Sequence, residues 1–227
     1  LKLVVQMVDA RTNSLLVLYD DVQSIYHTKE KRRFSFKSVG IQAQGRTTIL
    51  KINYRNTQEI LQFAGQFARQ LLTPIETDED SAPRLMPVSA GRQGPKPLLI
   101  KLPSLAQQAR YIAQQLKAAH QDGMAWKDMA VLYRHWDPIG KTINNALTGA
   151  GIPFSRKDTI QFSEKQDTVR LLTFHSSKGL EFPLVAIPRA NMQVDAGMSD
   201  EEEACLLYVA MTRATRELIV LDSTETV

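Results

Sequence analysis

Short apolar runs separated by helix-like stretches dominate the sequence from Pro97 to Leu221. Met129-Ala130-Val131-Leu132-Tyr133 and Leu184-Val185-Ala186-Ile187 are apolar without interruption, which fits strands buried on both faces better than strands with one wet face. Further strands are predicted over 97–100, 152–154, 169–174 and 218–221. Between them lie helical patterns. Ser104 with Gln107 caps a helix whose apolar stripe is Leu105, Ala109, Ile112, Leu116 and Ala119. A second helix over 139–148 turns Ile143, Ala146 and Leu147 inward and stops at Gly149 and Gly151. Ser199 with Glu202 opens a third, through Leu206, Leu207 and Ala210. Strand and helix in alternation predict an α/β fold, a parallel sheet with helices on both faces. Ligands of such sheets collect at the C-terminal ends of the strands.

Upstream the pattern is less regular. Leu15-Leu16-Val17-Leu18 reads as a buried strand delivering Asp20 and Asp21 to a loop. Asn56 and Glu59 have capping-box spacing, which predicts a helix through Leu61, Ala64 and Phe67 to about Leu72. Residues 73–97 hold five prolines and an acidic stretch, a surface loop or linker. The 227 residues suit one large domain, or one domain with part of another. A first residue of Leu rather than Met points to an excised piece.

Several function classes are excluded. No apolar run reaches the roughly 18 residues of a membrane span, so no membrane partner is expected. The single cysteine, Cys205, cannot form an intramolecular disulfide, and no Cys/His set has zinc-ligand spacing; the expectation is a cytoplasmic protein without a metal site of its own. A net charge of +4 permits a nucleic-acid partner without demanding one. Gly140-Lys141-Thr142, between a strand and a helix, mimics the end of a phosphate-binding loop. The full loop needs a glycine five residues earlier, where this chain has His135, with Trp136 and Pro138 in place of open backbone. It reads as an ordinary helix start.

Four segments carry far more information. Thr173-Phe174-His175-Ser176-Ser177-Lys178-Gly179-Leu180-Glu181-Phe182 resembles motif V of UvrD/Rep-like superfamily 1 DNA helicases. Glu202-Glu203-Ala204-Cys205-Leu206-Leu207-Tyr208-Val209-Ala210-Met211-Thr212-Arg213-Ala214 resembles their motif VI. Asn53-Tyr54-Arg55-Asn56 is similar to motif IV, and Asp20-Asp21-Val22-Gln23-Ser24-Ile25-Tyr26 to most of motif III. One match is easily accidental, but four in the family's order are not.

The resemblance implies the following. The fold is RecA-like, of the P-loop NTPase kind. Residues 1–50 are the tail of a first RecA-like domain, and 51–227 are the second. An ATP site lies between the two, with Walker lysine, Walker acids and Mg²⁺ ligands on the missing part of the first. Arg55 and Arg213 resemble arginine fingers, and arginine suits that task because its planar guanidinium is always charged and offers several donors to phosphate oxygens. Gln23 resembles the residue that senses the γ-phosphate. Tyr54 resembles the adenine-stacking aromatic, and Glu181 the ribose acid beside Gly179, where backbone must come close. Thr173, His175 and Tyr26 resemble residues that face single-stranded DNA, and Phe34-Ser35-Phe36-Lys37 mixes aromatics and cations as strand stacking requires. Outside these motifs each has an ordinary alternative: arginines in surface salt bridges, Tyr54 in core packing, Glu181 on a helix dipole, Phe34 and Phe36 on one face of a strand. The other histidines, His27, His120 and His135, read as structural.

The match also departs from the family. Walker A and Walker B are absent, so this chain alone is expected to be inactive. Tyr19 stands for the usual motif III glycine, and a basic insert over 27–33 follows. Ala204 and Cys205 replace a basic pair in motif VI. The interval from Arg55 to Thr173 is too short for the large accessory subdomain of well-studied relatives. The resulting expectation is the second motor domain of an ATP-dependent, 3′-to-5′ DNA helicase or translocase of repair or recombination. The alternative is a nucleotide-gated binding or regulatory module without processive unwinding.

Overall fold

The computed structural model describes residues 1–9, 11–12, 14–18, 36–42, 45–68, 87–156, 166–190 and 200–223. In chain order the elements are α1 (Lys2–Gln6), β1 (Ile52–Asn53), α2 (Gln58–Ala68), β2 (Val88–Ser89), β3 (Leu98–Leu102), α3 (Leu105–Gln121), β4 (Met129–Tyr133), α4 (Lys141–Gly149), β5 (Phe154–Arg156), β6 (Val169–Thr173), β7 (Phe182–Ile187), α5 (Asp200–Met211) and β8 (Ala214–Ser223).

Six strands form one sheet in the order β3-β8-β7-β4-β6-β5, and every pairing is parallel. Parallel neighbours need crossovers, and the helices provide most of them. The central strand explains its own composition. Met129, Val131 and Tyr133 point into a core shared with α3 and α4, while Ala130 and Leu132 point into a core shared with α2 and α5. With helices on both faces no residue of β4 meets water, so no polar alternation is possible. The α/β, RecA-like expectation therefore holds, with helices on both faces.

Local signals in this half also hold. The Ser104 hydroxyl caps α3 by accepting from Gln107 N at 3.3 Å, and Ala109, Ile112 and Leu116 are buried. Gly140-Lys141-Thr142 is a helix start. The Trp136 ring fills the space over Gly140, Lys141 Nζ is paired with Asp137 at 2.6 Å, and the Arg156 guanidinium lies 3.6 Å over the Trp136 ring. His120 stacks on Trp126 and contacts Met124 O through its ring, a structural role.

Three expectations fail. Residues 15–18 form no strand, and Leu16 and Leu18 are 81% and 78% exposed; among the described residues no strand lies beside this segment to pair with it. The proline-rich stretch contains β2, which pairs with β1 at Ile52↔Val88 and Asn53↔Ser89. Phe36 is buried beside the turn Lys37–Val39, which removes it as a stacking platform. Motif III with Gln23 and Tyr26, together with His27, Phe34, the helix end near Leu72 and the Ser199 cap, lies outside the described residues. No helix among the described residues is long and apolar enough to cross a membrane.

Candidate functional site

The starting ends of β7 and β8 lie side by side, with Phe182 opposite Ala214. Glu181 and Arg213 each precede one of these strands by one residue, and Phe182 N donates to Arg213 O at 2.9 Å. Motifs V and VI are thereby joined through backbone. Asn56 adds the third motif. It is buried, and its side-chain amide donates to Thr212 O at 2.8 Å and to Ala214 O at 2.6 Å, on either side of Arg213. Its Oδ1 accepts from Asn53 Nδ2 at 2.9 Å. The Asn53 carboxamide in turn accepts from Arg55 N and Asn56 N at 2.8 and 2.9 Å. Asn56 is thus a strut between motifs, not the cap of α2 that its spacing predicts. Thr57 caps instead, its hydroxyl accepting from Ile60 N at 3.4 Å.

This turn presents Tyr54 and Arg55 outward. Tyr54 is 72% exposed, which excludes core packing. Arg55 Nε pairs with Glu181 Oε2 at 2.5 Å, and both side chains remain about half exposed. An exposed pair of this kind contributes about 0–1 kcal/mol, so Arg55 is oriented but free to exchange partners. Gly179 has φ of +84°, a conformation that lets the loop turn towards Glu181 at little cost for glycine. Arg213 differs from Arg55. It is 1% exposed, and its guanidinium donates to Val209 O at 3.0 Å, Leu180 O at 3.2 Å and Thr212 Oγ1 at 3.4 Å. Its contact with Leu180 again ties motif VI to motif V.

Thr173 and His175 stand at the other end of the sheet. Thr173 is the last residue of β6, opposite Tyr133 at the end of β4. Its hydroxyl donates to Ser176 Oγ at 3.0 Å and accepts from Ser176 N at 3.1 Å, building the turn His175–Ser177. Both residues are half-buried. The Arg55–Glu181 cluster thus lies at the starting ends of the strands, not at the C-terminal ends that the sheet rule predicts. That rule describes loops leaving strands, whereas Glu181 and Arg213 come from segments entering them.

Two further features escape the motifs. Arg92 Nη1 donates to Arg55 O at 2.8 Å and Tyr54 O at 3.4 Å, holding the turn from a loop some 37 residues away. Arg134, which follows β4, pairs with Glu203 of α5 at 3.0 Å, and both side chains are largely buried. Glu203 belongs to motif VI, but nothing local marks Arg134 as its partner. Ala204 and Cys205 pack partly buried against the α2/α5 core, so the residues replacing the family's basic pair serve packing. Among the described residues no group of three His, Cys, Asp or Glu side chains is placed to hold a metal ion.

A RecA-like sheet with motifs IV, V and VI joined at the starts of β7 and β8 is the arrangement of a UvrD-like helicase C-terminal domain. Comparison with known proteins agrees. The family model for the UvrD-like helicase C-terminal domain matches residues 48–168 and 156–225, and the chain belongs to that family. It is 32% identical over 181 residues to a probable DNA helicase of Mycoplasma pneumoniae, covering 74% of this chain and 30% of that protein. It is 47% identical over 60 residues to DNA helicase II of Escherichia coli, 23% of this chain and 8% of the relative. The chain thus spans under a third of either relative. In fold it resembles the crystal structure of the C-terminal domain of a possible DNA helicase from Lactobacillus plantarum, with a TM-score of 0.54 and 20% identity, covering 75% of this chain and 88% of that one.

Proposed function

We propose that this chain is the second motor domain of an ATP-dependent DNA helicase or translocase, with residues 1–50 belonging to the domain before it. The observation that carries this is the accessible Arg55–Glu181 pair, set beside exposed Tyr54 on a turn locked to Arg213. An aromatic face, an acid and a cation suit adenine, ribose hydroxyls and phosphate in turn. Tyr54 stacks on the base, Glu181 accepts from the ribose, and Arg55 leaves Glu181 for the γ-phosphate as the domains close. Arg213 joins it after exchanging bonds within motifs V and VI. Mg²⁺ supplies charge neutralisation at the phosphates, and its ligands belong to the first domain, as do the Walker residues. Thr173 and His175 contact the phosphates of single-stranded DNA, such contacts positioning a strand without reading its sequence. By family resemblance the direction is 3′ to 5′ and the setting repair or recombination.

The test is single-strand-stimulated ATP hydrolysis by the full-length protein carrying this domain. Arg55→Ala is expected to lower the rate by on the order of 10³ or more with the fold retained, as for other arginine fingers, and Arg213→Ala to lose rate together with thermal stability, because Arg213 is buried and hydrogen-bonded. An unaltered rate in Arg55→Ala sinks the finger assignment. A well-folded parent without any hydrolysis leaves a nucleotide-gated binding module.

A further inference from the structure

The turn that presents Arg55 is held from three directions. Asn53 takes its N–H groups, and Asn56 anchors its far side to the strand start at Arg213. Tyr54 O and Arg55 O lie upstream of Thr57, whose carbonyl accepts the first bond of α2, and so stand outside the helix ladder. Arg92 supplies their partner, donating from a single nitrogen to Arg55 O and Tyr54 O.

Arg92 is itself fixed. Its carbonyl accepts from Gln58 N, the first residue of α2, at 2.8 Å. Two residues on, Gly94 N donates to Glu59 Oε2 at 2.9 Å. A β-carbon on Gly94 would sit 2.7 Å from Thr57 Cγ2 and 3.3 Å from Arg216 O, so this loop is seated hard against α2 and β8. Upstream, Val88 N donates to Lys51 O at 2.7 Å and Ala90 N to Asn53 O at 2.9 Å. Residues 88–94 therefore splint 51–59 along its length, and Arg92 is where the splint meets the residue aimed at Glu181.

We infer that Arg92 is a positioning residue for Arg55, holding the peptide after it so that its guanidinium reaches the reacting phosphate. The inference rests on the finger reading of Arg55. Without Arg92 the peptide after Arg55 keeps only its N–H bond to Asn53 and loses the partner of its carbonyl, and a side chain as long as arginine magnifies a small peptide rotation at its tip. A misplacement of about 1 Å costs roughly 10²-fold in rate. Contacts made in the transition state lower kcat when lost, and leave KM largely unchanged.

The test measures kcat and KM for ATP, with thermal midpoints, in the full-length protein carrying Arg92→Ala, Arg92→Lys, Arg55→Ala and the Arg55→Ala/Arg92→Ala pair. The expected result is a kcat about ten- to a hundredfold lower in Arg92→Ala with KM within about twofold. Arg92→Lys, which keeps a donor, recovers most of the rate. The double variant is no slower than Arg55→Ala, because Arg92 acts through Arg55. Should Arg92→Ala fail to fold, Arg92→Lys gives a smaller loss of the same kind, again absent on the Arg55→Ala background. Losses that multiply in the double variant overturn the inference. So does a wild-type kcat in Arg92→Ala when Arg55→Ala is impaired, which leaves the finger reading intact. A wild-type rate in Arg55→Ala overturns both.

Discussion

At the scale of single residues, the site is built from polar side chains that hold one another before any ligand is involved. Asn56 is the clearest case. Truncation to Ala strips the Thr212 and Ala214 carbonyls of a buried donor, and each such loss costs about 1–3 kcal/mol. Asn56→Ala is therefore expected to destabilise the domain by roughly 2–6 kcal/mol in urea unfolding. A change under about 0.5 kcal/mol would show that water replaces the amide freely. Asn56 lies inside a motif visible in the sequence, yet its role was misread there. Asn followed three residues later by Glu has the spacing of a capping box whether or not the side chain turns towards its own helix. The bonds that decide the matter reach residues 156 and 158 positions away. Tyr54 and Arg55 were singled out by motif order, not by local chemistry, and the structure presents both outward.

Elements were legible where their periodicity was their own and illegible where it depended on a partner. Strand β4 and helix α3 follow from uninterrupted apolar residues and from a 3.6-residue stripe with a serine cap. Strand β2 exists because β1 lies beside it, and two residues between prolines carry no periodic signal. The run at Leu15–Leu18 has the right composition but pairs with no strand among the described residues. Between elements, the Arg134–Glu203 pair clamps the end of β4 to α5. Removing one partner of a buried ion pair leaves a charge out of water. Glu203→Ala is thus expected to lower stability by about 3–5 kcal/mol, read from the thermal and urea transitions of this domain. A loss below about 1 kcal/mol would mean that Arg134 finds solvent or another acceptor easily.

Across the whole molecule, the length of the parallel strands separates two groups of residues. Arg55, Glu181 and Arg213 gather where β7 and β8 begin, and Thr173 and His175 stand where β6 ends. Strands of five or six residues at roughly 3.3 Å per residue put these ends about 15–20 Å apart. Residues 174–181 join them directly, so one short loop touches both. In the proposed motor such a link would couple the two groups, with the Walker residues supplied by the domain before this one. By itself this chain is expected to hydrolyse no ATP above background, with or without single-stranded DNA, and a phosphate-release assay checks this. Hydrolysis that Lys141→Ala abolishes would revive Gly140-Lys141-Thr142 as a phosphate loop, against the Trp136 ring that covers Gly140. The sequence alone determined the fold class, because strands buried on both faces and amphipathic helices write their burial into local composition. It also determined the family, because four motifs stand in order. Only the tertiary structure decided that Asn56 is a strut, that Arg92 holds the Tyr54–Arg55 turn, that Arg134 pairs with Glu203, and that the Arg55–Glu181 cluster sits at the strand starts. Those facts rest on hydrogen bonds and ion pairs between residues far apart in the chain, and a side chain's partner there is set by the fold rather than by its neighbours in sequence.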